Sequence, residues 1–322
     1  MSRVERTSFI LMGLILLMVG WSGLSTPFIT VLFTYLALDV LLSVLKKPWL
    51  SVLACTVLVI GIFYGFVSFL RQAIQILPHV ASASVPVLVE SARTYHLESL
   101  LPFDDAESFK QVIIDLMHGE LGNLANYAKV ATKEFVFLLI GLVVAASLFL
   151  NGELDLDRDR HRKKNNLYSA LCQSISARFK NFYLSFSTVM GAQLLISIIN
   201  TSFTALYVII AGVPHAAIIV GITFLCGMLP IVGNLISNSI IFSVAVTISV
   251  NEAVAALIFL IVLHKFEYFL NSKIIGSRIR NPMWLTLLGL VVGEKLIGIP
   301  GMILAPVLLN YIKIEASDIE VN

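Results

Sequence analysis

Four ionisable side chains stand within or beside long uncharged runs of the sequence: Asp39, His264, Glu267 and Glu294. If those runs are membrane helices, a charge at a helix centre costs about 2.5–3.5 kcal/mol on insertion scales, so it needs either a function or a short route to water. A carboxylate at that depth can bind a proton or a monovalent cation. These four residues are therefore the candidates for ion-coupled transport.

Each of the four also has a structural interpretation. Glu267 and His264 are three residues apart and share one face of a helix, and we interpret Glu267 as functional. The adjacent Lys265 is expected to extend its amine to the membrane surface. Asp39 is expected to be a boundary charge, whereas Glu294 could lie either in a loop at membrane depth or in an exposed turn.

The sequence contains no motif of enzymatic catalysis. The patterns GxSxG, HExxH, GxxxxGK[ST] and GxGxxG are absent, and one intramembrane aspartate cannot form the pair that an aspartyl protease needs. Neither the six histidines nor Cys55, Cys172 and Cys226 have a metal-binding spacing. We therefore predict a protein that is not an enzyme and that has no cofactor and no metal.

The amino-acid composition indicates that most of the chain is surrounded by lipid rather than by water. Of its 322 residues, 58% are hydrophobic and only 13% are charged, about half the ~25% of soluble domains. A soluble fold of this length cannot bury so much apolar surface, which excludes a soluble enzyme, a secreted disulfide scaffold and a disordered chain. A net charge of +2 excludes nucleic acid as a main partner. The partner is the lipid bilayer.

Uncharged runs of about 20 residues predict an all-α integral membrane protein. We expect about five full transmembrane helices, two broken or re-entrant hairpin regions, and a small helical extracytoplasmic segment. Six apolar runs are the candidates for these spans: Phe9–Leu24, Pro27–Leu45, Trp49–Leu70, Phe135–Leu150, Phe182–Ala211 and Ala253–Leu270.

Glycine and proline interrupt two of the apolar regions. After a first break, Pro214–Leu229 and Leu235–Val250 are each too short to cross, at about 24 Å. They predict a re-entrant hairpin with its tip at Pro230–Asn234, and Met283–Tyr311 could re-enter from the other face with its break at Gly293–Gly301. Ordinary kinked helices are the alternative. The residues of the breaks are Gly212, Pro214, Pro230, Gly233, Asn234, Gly298, Pro300, Gly301 and Pro306.

Four amides in these apolar regions, Gln193, Asn200, Asn234 and Asn238, are expected to hydrogen-bond between helices. We also expect the hairpin tip and Glu267 to belong to one transport site. The helix that carries Glu267 follows the hairpin directly, and the broken backbone needs polar partners within the bilayer.

Basic residues set the expected orientation, with the N-terminus cytoplasmic. The amphipathic stripe at Phe109–Met117 is expected to pack against another segment or subunit.

The predicted regions are an N-terminal three-helix membrane region at 1–70, an extracytoplasmic amphipathic segment at 71–133, a transmembrane helix at 134–150, a basic cytoplasmic loop with an amphipathic helix at 151–181, a membrane transport region with broken helices at 182–312, and a tail at 313–322.

The C-terminal third resembles the autoinducer-2 exporter family of bacterial membrane transporters. The matching strings are GVPHAAIIVGITFLCGMLPIVGN, FEYFLNSKIIGSRIRNP and GLVVGEKLIGIPGMILAPVL, while PFITVLFTYLALDVLL resembles the first hairpin of that family more loosely. By this resemblance the motif positions are Pro230, Gly233, Glu267, Gly276, Gly298 and Pro306.

The resemblance implies a multi-pass secondary transporter of the bacterial inner membrane that uses no ATP. It implies a homo-oligomer, with a pentamer among the options. The transported species would be a small polar molecule such as the autoinducer-2 signal of quorum sensing, which is exported, or sodium or lithium exchanged for protons by antiport. A passive channel and a non-transporting oligomeric scaffold are the alternatives.

Overall fold

The computed structural model describes residues 3–94, 124–161, 163, 166–229, 232–274 and 281–320. This described part contains ten α-helices and one 3₁₀ turn, Arg158–Arg160, and no β-strand. The helices are α1 Arg3–Trp21, α2 Ser25–Leu45, α3 Pro48–Thr94, α4 Leu124–Leu150, α5 Leu167–Ile210, α6 Ala216–Gly227, α7 Val232–Ile248, α8 Val250–Ile274, α9 Met283–Ile297 and α10 Ile299–Ser317. Phe109–Met117, Pro230 and Gly276 lie outside the described residues.

Six of these helices contain segments that are long and apolar enough to cross a membrane. The all-α membrane fold predicted from the sequence is therefore confirmed. The six segments are Arg3–Trp21, Ser25–Leu45, Pro48–Phe69, Lys129–Leu150, Leu167–Ile210 and Ile299–Ser317. The apolar helices α6 and α7 are shorter, with 12 and 17 residues.

One helix continues across residue 181, where the sequence predicts the boundary between a cytoplasmic segment and a membrane span. Helix α5 is continuous over 44 residues, or about 66 Å, and includes both the amphipathic stretch and the predicted span. The reason is local, because no proline occurs in this range and its one glycine, Gly191, is tolerated inside the helix. Helix α3 likewise continues beyond the predicted span to Thr94.

The C-terminal break is narrower than predicted. Glu294 and Lys295 belong to the last turn of α9 rather than to a loop tip, and Gly293 is also helical. The chain leaves the helix only at Gly298, whose φ of 67° and ψ of −146° suit glycine. Helix α10 then continues through Pro306 for 19 residues, because a proline removes a single backbone donor and need not end a helix whose other hydrogen bonds remain.

The chain divides into two compact units. The first comprises Met1–Ile60, Lys133–Ala192 and Ile275–Asn322, and the second Gly61–Thr132 and Gln193–Ile274. Aromatic side chains of α5 form the centre of the first unit. Phe182 is 2% exposed and its ring centroid lies 5.7 Å from that of Phe28 and 5.3 Å from that of Tyr311, so it joins α2, α5 and α10.

The second unit has an aliphatic core contributed by α5 to α8. Helices α7 and α8 pack against each other, as do α6 and α7. These contacts bury the side chains of four consecutive elements, which positions the broken region between α6 and α7. The core residues are Val208, Val213, Ile219, Ile241, Val244 and Leu260.

Candidate functional site: a broken helix beside a buried glutamate

The break between α5 and α6 begins with a Schellman motif. Gly212 has a φ of 63°, and the N–H of Val213 donates to the carbonyl oxygen of Val208 at 2.9 Å. Val208 and Val213 are both buried in the core of the second unit, so an apolar contact accompanies the hydrogen bond. Pro214 then prevents the helix from continuing, and His215 is the exposed N-cap of α6.

Helix α6 ends within an apolar region, so its last four carbonyl groups need partners from elsewhere. Two side chains of α5 supply two of these partners. The Ser197 hydroxyl donates to the carbonyl oxygen of Phe224 at 2.9 Å, and the Gln193 amide donates to that of Gly227 at 2.7 Å. The two intervening carbonyls accept N–H groups of the next turn, Leu225 from Met228 at 3.3 Å and Cys226 from Leu229 at 2.8 Å.

The start of α7 lies directly against the end of α6. A Cβ atom at Gly233 would overlap the carbonyl oxygen of Cys226, and one at Gly227 would press on the hydroxyl of Ser197. Both glycines are buried. Only glycine permits this approach of two backbones, so the sequence requirement at Gly233 is steric.

The break brings Asn234 to Glu267. The side-chain amide of Asn234, the third residue of α7, donates to Oε1 of Glu267 on α8. The carboxylate therefore lies beside the first turn of α7, where the helix dipole favours a negative charge. Glu267 is only 8% exposed, and a carboxylate so far removed from water needs such a partner.

Two more buried polar residues follow Gln193 and Ser197 along the same face of α5. Gln193, Ser197, Asn200 and Thr204 recur at intervals of three and four residues and are all buried, so they form one face of the helix. Within the described part of the chain, the side-chain oxygens of Asn200 and Thr204 have no hydrogen-bond partner. Gln193 bonds between helices as predicted for this amide, whereas Asn200 does not do so through its oxygen.

A groove of about 530 Å³ runs between α7 and α8 in the same unit. His264 and Lys265 line it and are exposed, whereas Glu267 is buried. His264 and Glu267, which were predicted to share one helix face, therefore have different environments: His264 faces the groove and Glu267 is buried. The groove is lined by Leu235, Asn238, Ser239, Phe242, Leu257, Leu260, Ile261, His264 and Lys265.

The other two ionisable candidates belong to the first unit and, unlike Glu267, are exposed. Asp39 is exposed on α2 and accepts a hydrogen bond from the hydroxyl of Tyr183 at 3.1 Å. Glu294 is exposed in the last turn of α9. The break that follows it is glycine-rich and close-packed, because a Cβ on either Gly293 or Gly301 would overlap the carbonyl of the other.

Sequence reasoning missed a buried ion pair in the first unit. Arg178 of α5 and Glu315 of α10 form a salt bridge with side-chain exposures of 15% and 4%. The amide of Asn181 donates to the second oxygen of Glu315 at 3.1 Å, and the guanidinium lies 3.5 Å from the ring centroid of Phe9. Arg178 lies within the basic segment predicted at 151–181, and its position three residues before Asn181 could have suggested a shared polar face.

The residues that the structure describes contain no group of three or more His, Cys, Asp or Glu side chains that could hold a metal ion. The oxygen atoms near the break are instead amides, hydroxyls, backbone carbonyls and one carboxylate. This donor set suits a proton, a monovalent cation or a polar solute.

The fold and the site together define a multi-pass helical membrane protein with a polar centre at a broken helix, an architecture typical of secondary transporters. The family described as AI-2E family transporter matches residues 7–318, and the chain belongs to this family. A Bacillus subtilis (strain 168) protein, named "Putative transport protein YdbI", is 24% identical over 230 residues. The match covers 70% of this chain and 66% of that relative, slightly less than two thirds of its length.

Proposed function

We propose that this protein is a secondary transporter in which Glu267 binds the coupling proton or monovalent cation. The observation that carries the proposal is the hydrogen bond from Asn234, at the first turn of a broken helix, to a carboxylate that is 8% exposed. Membership of a transporter family supports the general activity. The name of the B. subtilis relative points to the same general activity.

Glu267 has two states in this proposal, the free carboxylate and the carboxyl group with a bound proton or cation, and the two interact differently with α7. As a carboxylate it accepts the amide proton of Asn234, and the N-terminal dipole of α7 favours its negative charge. When it binds a proton or a cation, that attraction to α7 weakens, and the balance between two arrangements of α7 and α8 changes. An ion that binds the two arrangements with different affinities can in this way drive movement of a second species.

The transported species belongs to one of two classes in this proposal. One is a small polar molecule resembling autoinducer-2, which the protein exports, and the other is sodium or lithium exchanged for protons. The buried oxygens of Asn200 and Thr204, which have no partner in the described residues, support either class because both need polar contacts. We further propose that the protein functions as a homo-oligomer, with a pentamer as one option.

The proposed location is the bacterial inner membrane, with the N-terminus in the cytoplasm. The exposed bases Lys46 and Lys47 between α2 and α3, and the bases around Arg158, support this orientation. Cysteines introduced at Leu156 and Ser108 test it. We expect a membrane-impermeant thiol reagent to label Ser108→Cys in intact cells and Leu156→Cys only after lysis. Labelling of both from outside would reverse the assignment.

Proteoliposomes test the transport proposal with Glu267→Gln, which preserves the shape of the side chain but removes its charge. A pH-sensitive dye inside the vesicles should report proton movement driven by a sodium or lithium gradient, or solute movement should depend on an imposed pH gradient. We expect Glu267→Gln to insert and assemble normally and to lose gradient-driven transport. Glu252→Gln, on the same helix, should retain it.

The alternatives predict other results. A passive channel would move solute at a rate independent of the ion gradient, and a scaffold would move none. Wild-type transport with unchanged pH dependence in Glu267→Gln would show that the residue is structural and that the proposed site is wrong.

A further inference from the structure

We propose that the groove between α7 and α8 binds an anionic phospholipid, with an acyl chain along its apolar walls and the phosphate at His264 and Lys265. The groove is open to the outside of the helix pair and has a volume of about 530 Å³. This volume falls within the ~300–1,000 Å³ range of small-molecule sites. No part of this proposal depends on Glu267 coupling an ion gradient.

The first argument is the depth of the charge. With Glu252, in the first turn of α8, at one membrane surface, Lys265 lies 13 residues or about 20 Å further along the helix, short of the second surface of a ~30 Å hydrocarbon core. Its side chain is exposed, and among the described residues neither Lys265 nor His264 makes a hydrogen bond or an ion pair. A lysine at that position needs a counter-charge, and an anionic headgroup drawn slightly inward supplies it.

The second argument is the distribution of polarity along the groove. On α8 the basic pair is at one end and Leu257 is about 12 Å away at the other, with Ile261 between them. On α7 the apolar Phe242 and the polar Asn238 also contribute to the walls. An apolar channel with a basic end is complementary to a fatty acyl chain carrying a phosphate. A water-soluble phosphate compound would leave the apolar walls unused.

The groove lies next to Asn234 and Glu267, so a lipid bound there can affect the hydrogen bond between them. Lys265 is two residues before Glu267 on α8, and Asn238 is one turn after Asn234 on α7. An acyl chain between these helices therefore contacts both elements that carry the Asn234–Glu267 hydrogen bond. We infer that anionic lipid stabilises the α7–α8 pair.

Native mass spectrometry of the full-length protein tests this, because it counts the lipids that remain bound after detergent removal. The probes are phosphatidylglycerol, phosphatidylcholine with the same chains, and glycerol 3-phosphate. We expect selective retention of phosphatidylglycerol. The double variant His264→Gln/Lys265→Gln should weaken retention roughly fivefold or more, because the lysine charge alone contributes about 1 kcal/mol to the attraction of an anionic headgroup.

Two pairs of variants separate charge from shape. Ile261→Trp fills the groove and should abolish lipid retention, whereas Val262→Trp changes the neighbouring residue, which does not line the groove, and should not. Lys47→Gln removes an exposed base elsewhere and should also leave retention unchanged. Equal retention of the two phospholipids, unchanged retention in the double variant, or binding of glycerol 3-phosphate alone would overturn the proposal. Circular dichroism verifies that each variant is folded.

Discussion

The side-chain amide of Gln193 lies 2.7 Å from the carbonyl oxygen of Gly227, so α5 completes the hydrogen bonding of the last turn of α6. Ser197, one turn later on α5, does the same for Phe224. A helix can stop within an apolar region only if its terminal carbonyls find partners there. An unbroken helix of 44 residues thus supports a break in its neighbour, and this break holds Asn234 beside Glu267.

The first prediction concerns this support. Ser197→Ala removes the donor to Phe224 and leaves a partly buried carbonyl without it, which should lower the free energy of unfolding by about 1–3 kcal/mol. Thermal unfolding in detergent measures the loss. Ser202→Ala is the matched control, since the exposed hydroxyl of Ser202 bonds only within its own helix and its removal should have little effect. Equal stability of the two variants would show that α6 does not depend on the Ser197 hydrogen bond.

The second prediction concerns the close approach of α6 and α7. Gly233→Ala places a Cβ on the carbonyl oxygen of Cys226, and the resulting shift should cost about 1–3 kcal/mol of stability and reduce transport. At Gly191, inside α5, an added Cβ meets nothing within 4 Å. Gly191→Ala should therefore be neutral or slightly stabilising. A fully active and stable Gly233→Ala protein would contradict the packing described here.

The third prediction concerns the buried ion pair. Glu315→Leu leaves the Arg178 guanidinium buried without its carboxylate and should destabilise the protein by about 3–5 kcal/mol. The double variant Arg178→Met/Glu315→Leu removes both charges and should recover much of that loss. Chemical denaturation of the three proteins measures the difference. If the double variant is as unstable as Glu315→Leu, an unpaired charge is not the cause.

The fourth prediction concerns the crossing of α9 and α10. Gly293→Ala forces the new Cβ against the carbonyl of Gly301, so the two helices must separate, at a cost of about 1–3 kcal/mol. Gly13→Ala in α1 meets nothing within 4 Å and serves as the control. Thermal stability in detergent should fall for Gly293→Ala alone. The same fall in both variants would indicate a general response to losing a glycine.

The fifth prediction concerns pH and the segment before α5. The Ser169 hydroxyl donates to Asp155 at 2.6 Å, and this hydrogen bond, with a smaller contribution from His161, lowers the pKa of the Asp155 carboxyl. A lowered pKa in the folded state means that the stabilisation is present above the usual value of about 3.9 and is lost as the pH falls through the folded value.

Hydrogen–deuterium exchange of the segment around Asp155 checks this sign. Protection should be constant from pH 7 to about 5 and should decrease only below about pH 4. Asp155→Asn should speed tryptic cleavage after the exposed Arg158 and Arg160 at neutral pH, since it weakens the contact that holds this segment at the start of α5. A loss of protection that begins at about pH 6 would contradict the assignment of this effect to the Asp155 carboxyl.

The sequence by itself determined the membrane class, most of the spans and the sites of helix interruption. These features depend on local composition: uncharged runs of membrane length, and glycines and prolines such as Gly212, Pro214 and Gly298 that end helices because of their own backbone chemistry. It also singled out Glu267, because an acidic residue after a long apolar run is costly wherever the chain places it.

Only the tertiary structure decided which partner each polar group has. The sequence predicted that the hairpin tip and Glu267 share a site, but the hydrogen bond to Asn234 depends on how α7 and α8 align, and residues 33 positions apart carry no local signal of that alignment. The pairing of Arg178 with Glu315, over 137 positions, was invisible for the same reason. Glu294 resembled Glu267 in sequence, yet packing leaves the first exposed and buries the second. Burial and pairing are consequences of helix packing, which is a property of the whole fold rather than of any segment.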